Sequence, residues 1–186
     1  MSQVKVSGNA SGTGIFEIAA PNSNTNRTLT LPDNTGTLLS TASGVAVNGP
    51  AFSVYRTANQ ALSATTYTKV QFNLEEFDTA NCFDSATNYR FTPTVAGYYQ
   101  FNLCVNYASS SNINAAIVAI YKNGASYKRN DQIITVNGTN ASNLSALIYC
   151  DGVTDYVEGY AWGNTSPTIT GGQTVTFFQG FLARAA

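Results

Sequence analysis

The chain has 186 residues, only 10% of them charged, and nine Lys and Arg against ten Asp and Glu leave a net charge of −1. That balance argues against a nucleic-acid surface, which needs clustered Lys and Arg, and against a polybasic patch for acidic membranes; no apolar run approaches a membrane span either. Histidine is absent, which removes Ser-His-Asp and Cys-His catalysis, most catalytic zinc sites and a simple proton switch near neutral pH.

Residues 1–49 are rich in Gly, Asn, Ser and Thr, and the start, MSQVKVSGN, lacks the apolar stretch of a secretory signal peptide. Two weak β patterns interrupt this polar arm. In Ile15-Phe16-Glu17-Ile18, Ile15 and Glu17 alternate with Phe16 and Ile18. In Thr28-Leu29-Thr30-Leu31, Leu29 and Leu31 share a face; Pro32-Asp33-Asn34-Thr35-Gly36 then supplies turn chemistry before Thr37-Leu38-Leu39. A hairpin this small is marginal alone, so it needs partner chains or a dock. Ser43–Pro50 reads as a linker, punctuated by Gly44, Gly49 and Pro50. The expected organisation is an arm and linker over 1–49 and a globular module over 50–186.

From Ala51 the pattern is β throughout. Phe52–Tyr55 opens a strand and Thr66–Phe77 carries one or two more. In Gly97–Tyr107, Tyr99, Phe101, Leu103, Val105 and Tyr107 alternate strictly with Gln100, Asn102, Cys104 and Asn106, which predicts a half-buried strand. Ala115–Lys122 leads to the hairpin signal Asn123-Gly124. Further strands are predicted over 127–136, 143–150, 155–162 and 174–184, with turns at Asn137-Gly138-Thr139 and Asp151-Gly152. Some ten short strands with no helical period predict an all-β sandwich or jelly roll. Cys82, Cys104 and Cys150 have no C-x-x-C spacing; buried free thiols are the favoured reading, with one disulfide plus a spare thiol, or a cross-chain bond, as alternatives.

Two resemblances refine this. Residues 26–40, NRTLTLPDNTGTLLS, resemble a segment that recurs in bacteriophage tail-fibre and other virion fibre proteins. Residues 51–186 resemble the C1q/TNF-like domain. Ala51-Phe52-Ser53-Val54 matches its opening strand, Gly97-Tyr98-Tyr99-Gln100-Phe101 its G-x-Y-x-F signature, Ile120-Tyr121-Lys122-Asn123-Gly124 its Lys-Asn-Gly turn, and Phe178-Gln179-Gly180-Phe181-Leu182 its closing F-S-G-F-L. Gln179 replaces the usual small residue, and Asp151-Gly152 with Asp155-Tyr156-Val157 is a loose version of Gly-Asp-x-Val. The resemblance implies a ten-stranded jelly-roll sandwich, preceded by an extended β-rich arm and assembled as a homotrimer. No Gly-X-Y stalk is present. Aromatics on both faces of predicted strands, Tyr98 beside Tyr99 and Phe177 beside Phe178, independently call for burial against a partner chain.

No catalytic residue is assigned. Glu75 and Glu76 point to opposite faces of a strand; Asp78 and Asp84 could approach one another around Cys82, but the sequence gives no sign of the separation a glycosidase pair requires, and they read as solvated loop acids or turn caps. Asp131, Asp151 and Asp155 are candidate calcium ligands but form no spaced cluster, so neither metal nor cofactor is expected. Ligand binding is assigned to the only local concentration of charge, Tyr127-Lys128-Arg129-Asn130-Asp131, placed among the loops at the free end of the head, and to Tyr160 and the sole tryptophan, Trp162. Its competing reading is a charged hairpin that keeps an edge strand soluble. The arm residues Leu29, Leu31, Pro32, Asp33, Gly36 and Leu38 are assigned to anchoring on other virion proteins. The expectation is a trimeric, non-enzymatic phage fibre or spike on the particle exterior, binding a host surface or glycan. The alternative is a head-fibre, decoration or tail-adaptor protein that cements neighbours. A depolymerising enzyme is the weakest reading.

Overall fold

The computed structural model describes residues 11–15, 17, 22–26, 28, 49–109, 115–132 and 138–186. Two compact units divide the chain, Met1–Leu38 and Leu39–Ala186. In the first, Leu29, Leu31, Pro32, Asp33, Gly36 and Leu38 lie outside the described residues. Of the strand predicted at 15–18, Ile15 and Glu17 are described; both are exposed and neither is in a strand.

The second unit is built from β1 (Ala51–Tyr55), β2 (Gln60–Ala61), β3 (Thr68–Lys69), β4 (Leu74–Asp78), β5 (Phe83–Asp84), β6 (Arg90–Phe91) and β7 (Gly97–Ser109). It continues with β8 (Ala116–Lys122), β9 (Ala125–Gln132), β10 (Gly138–Cys150), β11 (Val157–Gly163), β12 (Thr168–Ile169) and β13 (Phe177–Ala185). No helix occurs among the described residues. The strands form two antiparallel sheets. Sheet A runs β2-β12-β7-β13-β1-β4, with β10 also on β7; sheet B runs β5-β6-β11-β8-β9, with β3 also on β11. This is the expected all-β jelly-roll sandwich, with several short strands split off as two-residue pieces.

The period-two pattern of β7 sets the core. Tyr99, Phe101, Leu103, Val105 and Tyr107 are all buried, facing a ring cluster around Phe52. That ring stacks on Phe91 at 4.4 Å and meets Phe178 edge-on at 5.1 Å. The two core tyrosines keep their hydroxyls satisfied, Tyr99 donating to the Val95 carbonyl and Tyr107 to that of Ile117, each at 2.7 Å. Asn123-Gly124 closes the β8–β9 hairpin with both residues at positive φ, 54° and 78°, as a twisted two-residue turn requires.

Two local expectations are corrected. The last strand begins at Phe177 rather than 174, because Gln173–Val175 make a turn and Thr176 is drawn into the interior. There its Oγ1 accepts from Asn106 N and donates to the Thr170 carbonyl. β10 starts at Gly138, inside the predicted turn, where φ of 113° launches the strand. Cys82, Cys104 and Cys150 are all free and buried, in agreement with the favoured reading rather than its disulfide alternative.

Candidate functional site

The outer face of sheet B gathers side chains from five strands. Backbone register fixes which of them share it. In β11, Val157 and Ala161 point into the core, so Glu158, Tyr160 and Trp162 point outward. In β8, Ala116, Val118 and Ile120 are core residues, which turns Ile117, Ala119 and Tyr121 outward. Tyr160 pairs with Ala119 and Ala119 with Arg129; Trp162 pairs with Ile117 and Ile117 with Asp131. On the other flank Lys69 of β3 pairs with Tyr160. Two cross-strand rows therefore run Lys69-Tyr160-Ala119-Arg129 and Trp162-Ile117-Asp131.

The structure thus brings together two groups that lie some thirty residues apart in sequence, but only in part. Arg129 and Asp131 share the face with Tyr160 and Trp162. Lys128 and Asn130 pair with the inward positions Ile120 and Val118; Asn130 Nδ2 donates to the Asn143 carbonyl at 2.8 Å, across to sheet A. Tyr127 sits at the β-bulge opposite Ile120 and Tyr121, with Lys122 and Lys128 ammoniums 5.9 and 5.5 Å from its ring centre. The segment belongs to the strand predicted from 127, here the edge strand β9, exposed over most of its length, rather than to a loop at the free end; the hairpin after Asn123-Gly124 continues through it.

Aromatic rings pave the middle of the face. Tyr121 and Tyr160 stack at 3.9 Å with 21° between planes; Tyr67 lies 5.9 Å from Tyr121 and 6.4 Å from Trp162. Burial, followed by the nearby Glu158 charge, pushes the Tyr160 hydroxyl up to about 12, and burial raises that of Tyr121. Both remain hydrogen-bond donors at any physiological pH. Two cations on the face are ion-paired. Lys69 Nζ lies 2.5 Å from Glu158 Oε1, and Arg129 Nη2 lies 3.0 Å from Asp131 Oδ2. Arg90, its guanidinium 4.4 Å from the centre of the Tyr156 ring, is the cross-strand partner of Asp84. Tyr67, Lys69, Tyr121 and Glu158 had no sequence signal. They are scattered over β3 and the residue before it, β8 and β11, with nothing local to mark them, and only the fold unites them.

No protein-family model and no curated protein sequence matches the chain. Solved structures do. The globular domain of zebrafish complement 1qA is 19% identical, covering 74% of this chain and 99% of that one, with a TM-score of 0.54. Eiger TNF from S. frugiperda is 9% identical, over 74% and 95%, at 0.59. The vertex protein P5 of PRD1, a phage protein, is 13% identical, over 76% and 99%, at 0.56. The fold is C1q/TNF-like.

Within this C1q/TNF-like sandwich the other acidic residues named are taken up by backbone and side-chain hydrogen bonds and by the Lys122 ammonium. Asp84 accepts from Ala86 N, Thr87 N, Asn88 N and Asn88 Nδ2; the Thr87 N–H foremost draws its carboxyl down to about 2. Asp78 caps Ala80 N and Phe83 N. Glu75 takes the Ser85 hydroxyl, and Glu76 is bonded to Ser53 and Gln173. The three candidate calcium ligands do not converge. Asp131 is on β9 with Arg129, while Asp151 and Asp155 meet in the β10–β11 turn. There Asp151 Oδ1 accepts from the N–H groups of Val153, Thr154 and Asp155, and the Lys122 ammonium occupies Asp155 Oδ2 at 2.8 Å.

The outer face of sheet A has a different character. Phe77, Tyr98, Leu147, Tyr149 and Phe181 are each 41–55% exposed there. Phe181 and Leu147 flank Gln100 in one row, and Tyr98 and Tyr149 pair in the next. Beside them a groove of about 590 Å³ is lined by Tyr98, Leu147 and residues 183–186.

Proposed function

We propose that the chain is a homotrimeric structural protein of a virion, mounted on the particle through residues 1–49 and presenting residues 50–186 outward to bind a glycan on the host surface. The observation that carries self-association is the aromatic outer face of sheet A. Five large apolar side chains exposed on one sheet face are more than a solvated sheet uses, and a second copy is the occupant that gives them burial. The virion reading draws on the fibre-like segment at 26–40 and on a phage vertex protein among the fold's neighbours. The outer face of sheet B, on the opposite side of the sandwich, stays free when sheet A is covered. Three such faces per assembly, and many assemblies per particle, convert weak contacts into firm attachment through avidity.

Light scattering on the full chain and on a chain beginning at Ala51 tests this. Trimers from both place self-association in the head and leave the arm as a mount. A head that is monomeric while the full chain trimerises assigns oligomerisation to the arm and removes sheet A from the proposal. Monomers from both overturn it.

A further inference from the structure

We infer that the outer face of sheet B is a saccharide site built for a neutral, hydroxyl-rich oligosaccharide, with Tyr160 and Trp162 as the stacking surface and the Arg129–Asp131 pair as the hydrogen-bonding edge. The inference rests on the glycan reading above and adds to it the location and the chemical class of the ligand.

The argument starts from charge. Lys69 is held by Glu158 and Arg129 by Asp131, while the Arg90 guanidinium lies over the Tyr156 ring, so neither cross-strand row offers an unbalanced cation to a uronate, a sialate or a phosphorylated sugar. An anionic ligand would have to displace a carboxylate already in place and would meet that carboxylate's charge. A neutral sugar meets no such penalty. Its hydroxyls can accept from the Arg129 guanidinium and donate to the Asp131 carboxylate, whose side chains are 57% and 49% exposed; hydrogen bonds to charged partners are the strong ones. Next comes shape. The face is a pleated platform of Tyr67, Tyr121, Tyr160 and Trp162 rather than a closed pocket, and the apolar face of a pyranose ring packs on such rings while their hydroxyl and indole N–H stay available to polar neighbours. The rows supply spacing. Tyr160 and Arg129 lie two strands apart with only Ala119 between them, and Trp162 and Asp131 likewise flank Ile117. At 4.7–4.9 Å per strand step, roughly 10 Å separates stack from edge, a span that two linked sugar rings cover and a single ring does not.

Trp162 is the sole tryptophan, so its emission reports on this face alone. The full chain is titrated with chitohexaose, maltohexaose and mannohexaose, and separately with hexagalacturonate and a sialylated oligosaccharide, while calorimetry registers binding anywhere on the molecule. The expected result is a saturable change in Trp162 emission with at least one neutral hexasaccharide, little altered by salt. Asp131→Asn should weaken it about tenfold, Tyr160→Ala should abolish it, and Tyr160→Phe should retain it, with trimer mass and unfolding midpoint checked for each variant. Calorimetric binding with unchanged Trp162 emission and no sensitivity to Tyr160→Ala leaves the glycan reading standing and overturns this site. Binding confined to the anionic sugars and lost at high salt overturns the ligand class. No binding to any of the five overturns the inference and removes its support from the glycan reading.

Discussion

Lys122 Nζ lies 2.8 Å from Asp155 Oδ2 and 2.9 Å from the Tyr149 carbonyl, tying the end of β8 to both sides of the β10–β11 turn. Asn123 completes the clasp, its Nδ2 donating to Asp155 Oδ1 at 2.7 Å and its Oδ1 accepting from Tyr156 N. Burial by itself raises the Asp155 carboxyl, but the Lys122 ammonium, the Asn123 amide and the Asp151 N–H outweigh it and hold that carboxyl below its ordinary value. Lys122 is shifted the other way: burial lowers it, and Asp155 more than reverses the effect.

The clasp therefore stabilises the fold between two limits. A depressed carboxyl contributes fully above its unfolded value of about 3.9, and the contribution fades as pH falls through the lower folded value. A raised ammonium contributes below about 10.4 and fades as pH rises through the higher folded value. Lys122→Met should cost about 2 kcal/mol at neutral pH, because it leaves Asp155 unpaired in a largely buried place. It should also shift the acid limb of the stability curve. Urea unfolding midpoints from pH 3 to pH 8 check both; a midpoint equal to wild type at pH 7 would show that the pair contributes nothing.

Gly152 and Gly138 make a matched pair. Gly152 has φ of 73°, and a Cβ there would lie 2.5 Å from Ala96 N and 2.6 Å from the Val95 carbonyl carbon. Gly138 has φ of 113° with nothing within 4 Å of such a Cβ. Gly138→Ala should cost about 1–2 kcal/mol, from backbone strain alone. Gly152→Ala adds a collision with main chain and should cost about 3 kcal/mol or more. Equal losses in thermal unfolding would mean that the 95–96 backbone yields freely.

Thiol chemistry should be silent in the folded protein. Burial raises the Cys104 thiol and pushes that of Cys150 up to about 12, leaving on the order of 10³-fold fewer Cys150 thiolates at pH 8 than in an unfolded chain. Ellman's reagent should therefore react in full only after denaturation. Rapid native-state reaction of Cys150, located by peptide mapping, would contradict the packing around it.

On sheet A, Phe181→Lys and Leu147→Lys should each lower the light-scattering mass toward that of one protomer while leaving the circular dichroism of the folded head intact. Both side chains are about half exposed already, so neither change opens the core. Unaltered mass in the double variant would rule this face out as the self-association surface.

How far the sequence carried depended on whether a feature was local. The alternation of Tyr99 through Tyr107 predicts β7 correctly because side-chain period needs no partner to be read, and Asn123-Gly124 gives the hairpin because turn chemistry is equally local. The last strand, read from 174, starts three residues later at Phe177, since Thr176 turns inward to meet Asn106, seventy positions away. Arg129 and Tyr160 were each singled out, yet that they flank Ala119 depends on the registers of β8–β9 and β8–β11. The bulge at Ile120/Tyr121 shifts the first of these by a residue, and a one-residue slip moves every side chain to the other face. Lys128 and Asn130 are lost from the site for that reason alone.

β13 carries one further consequence. It lies between β1 and β7, pairing Phe181 with Ala51 on one side and with Gln100 on the other, so the last strand of the sandwich to be made occupies the middle of sheet A. Until residues 177–185 have emerged, β1 and β7 have no common partner, and each shows the ribosome's surroundings an unpaired edge backed by apolar side chains. Helpers that shield such edges, or assembly partners that meet the chain at this stage, act on a half-sheet. A chain ended at Thr176 should aggregate on synthesis, whereas the same chain supplied with a peptide of residues 177–185 should recover soluble sandwich. The jelly roll is thus completed by insertion, and the yield of folded protein is governed by how long that central slot stands open.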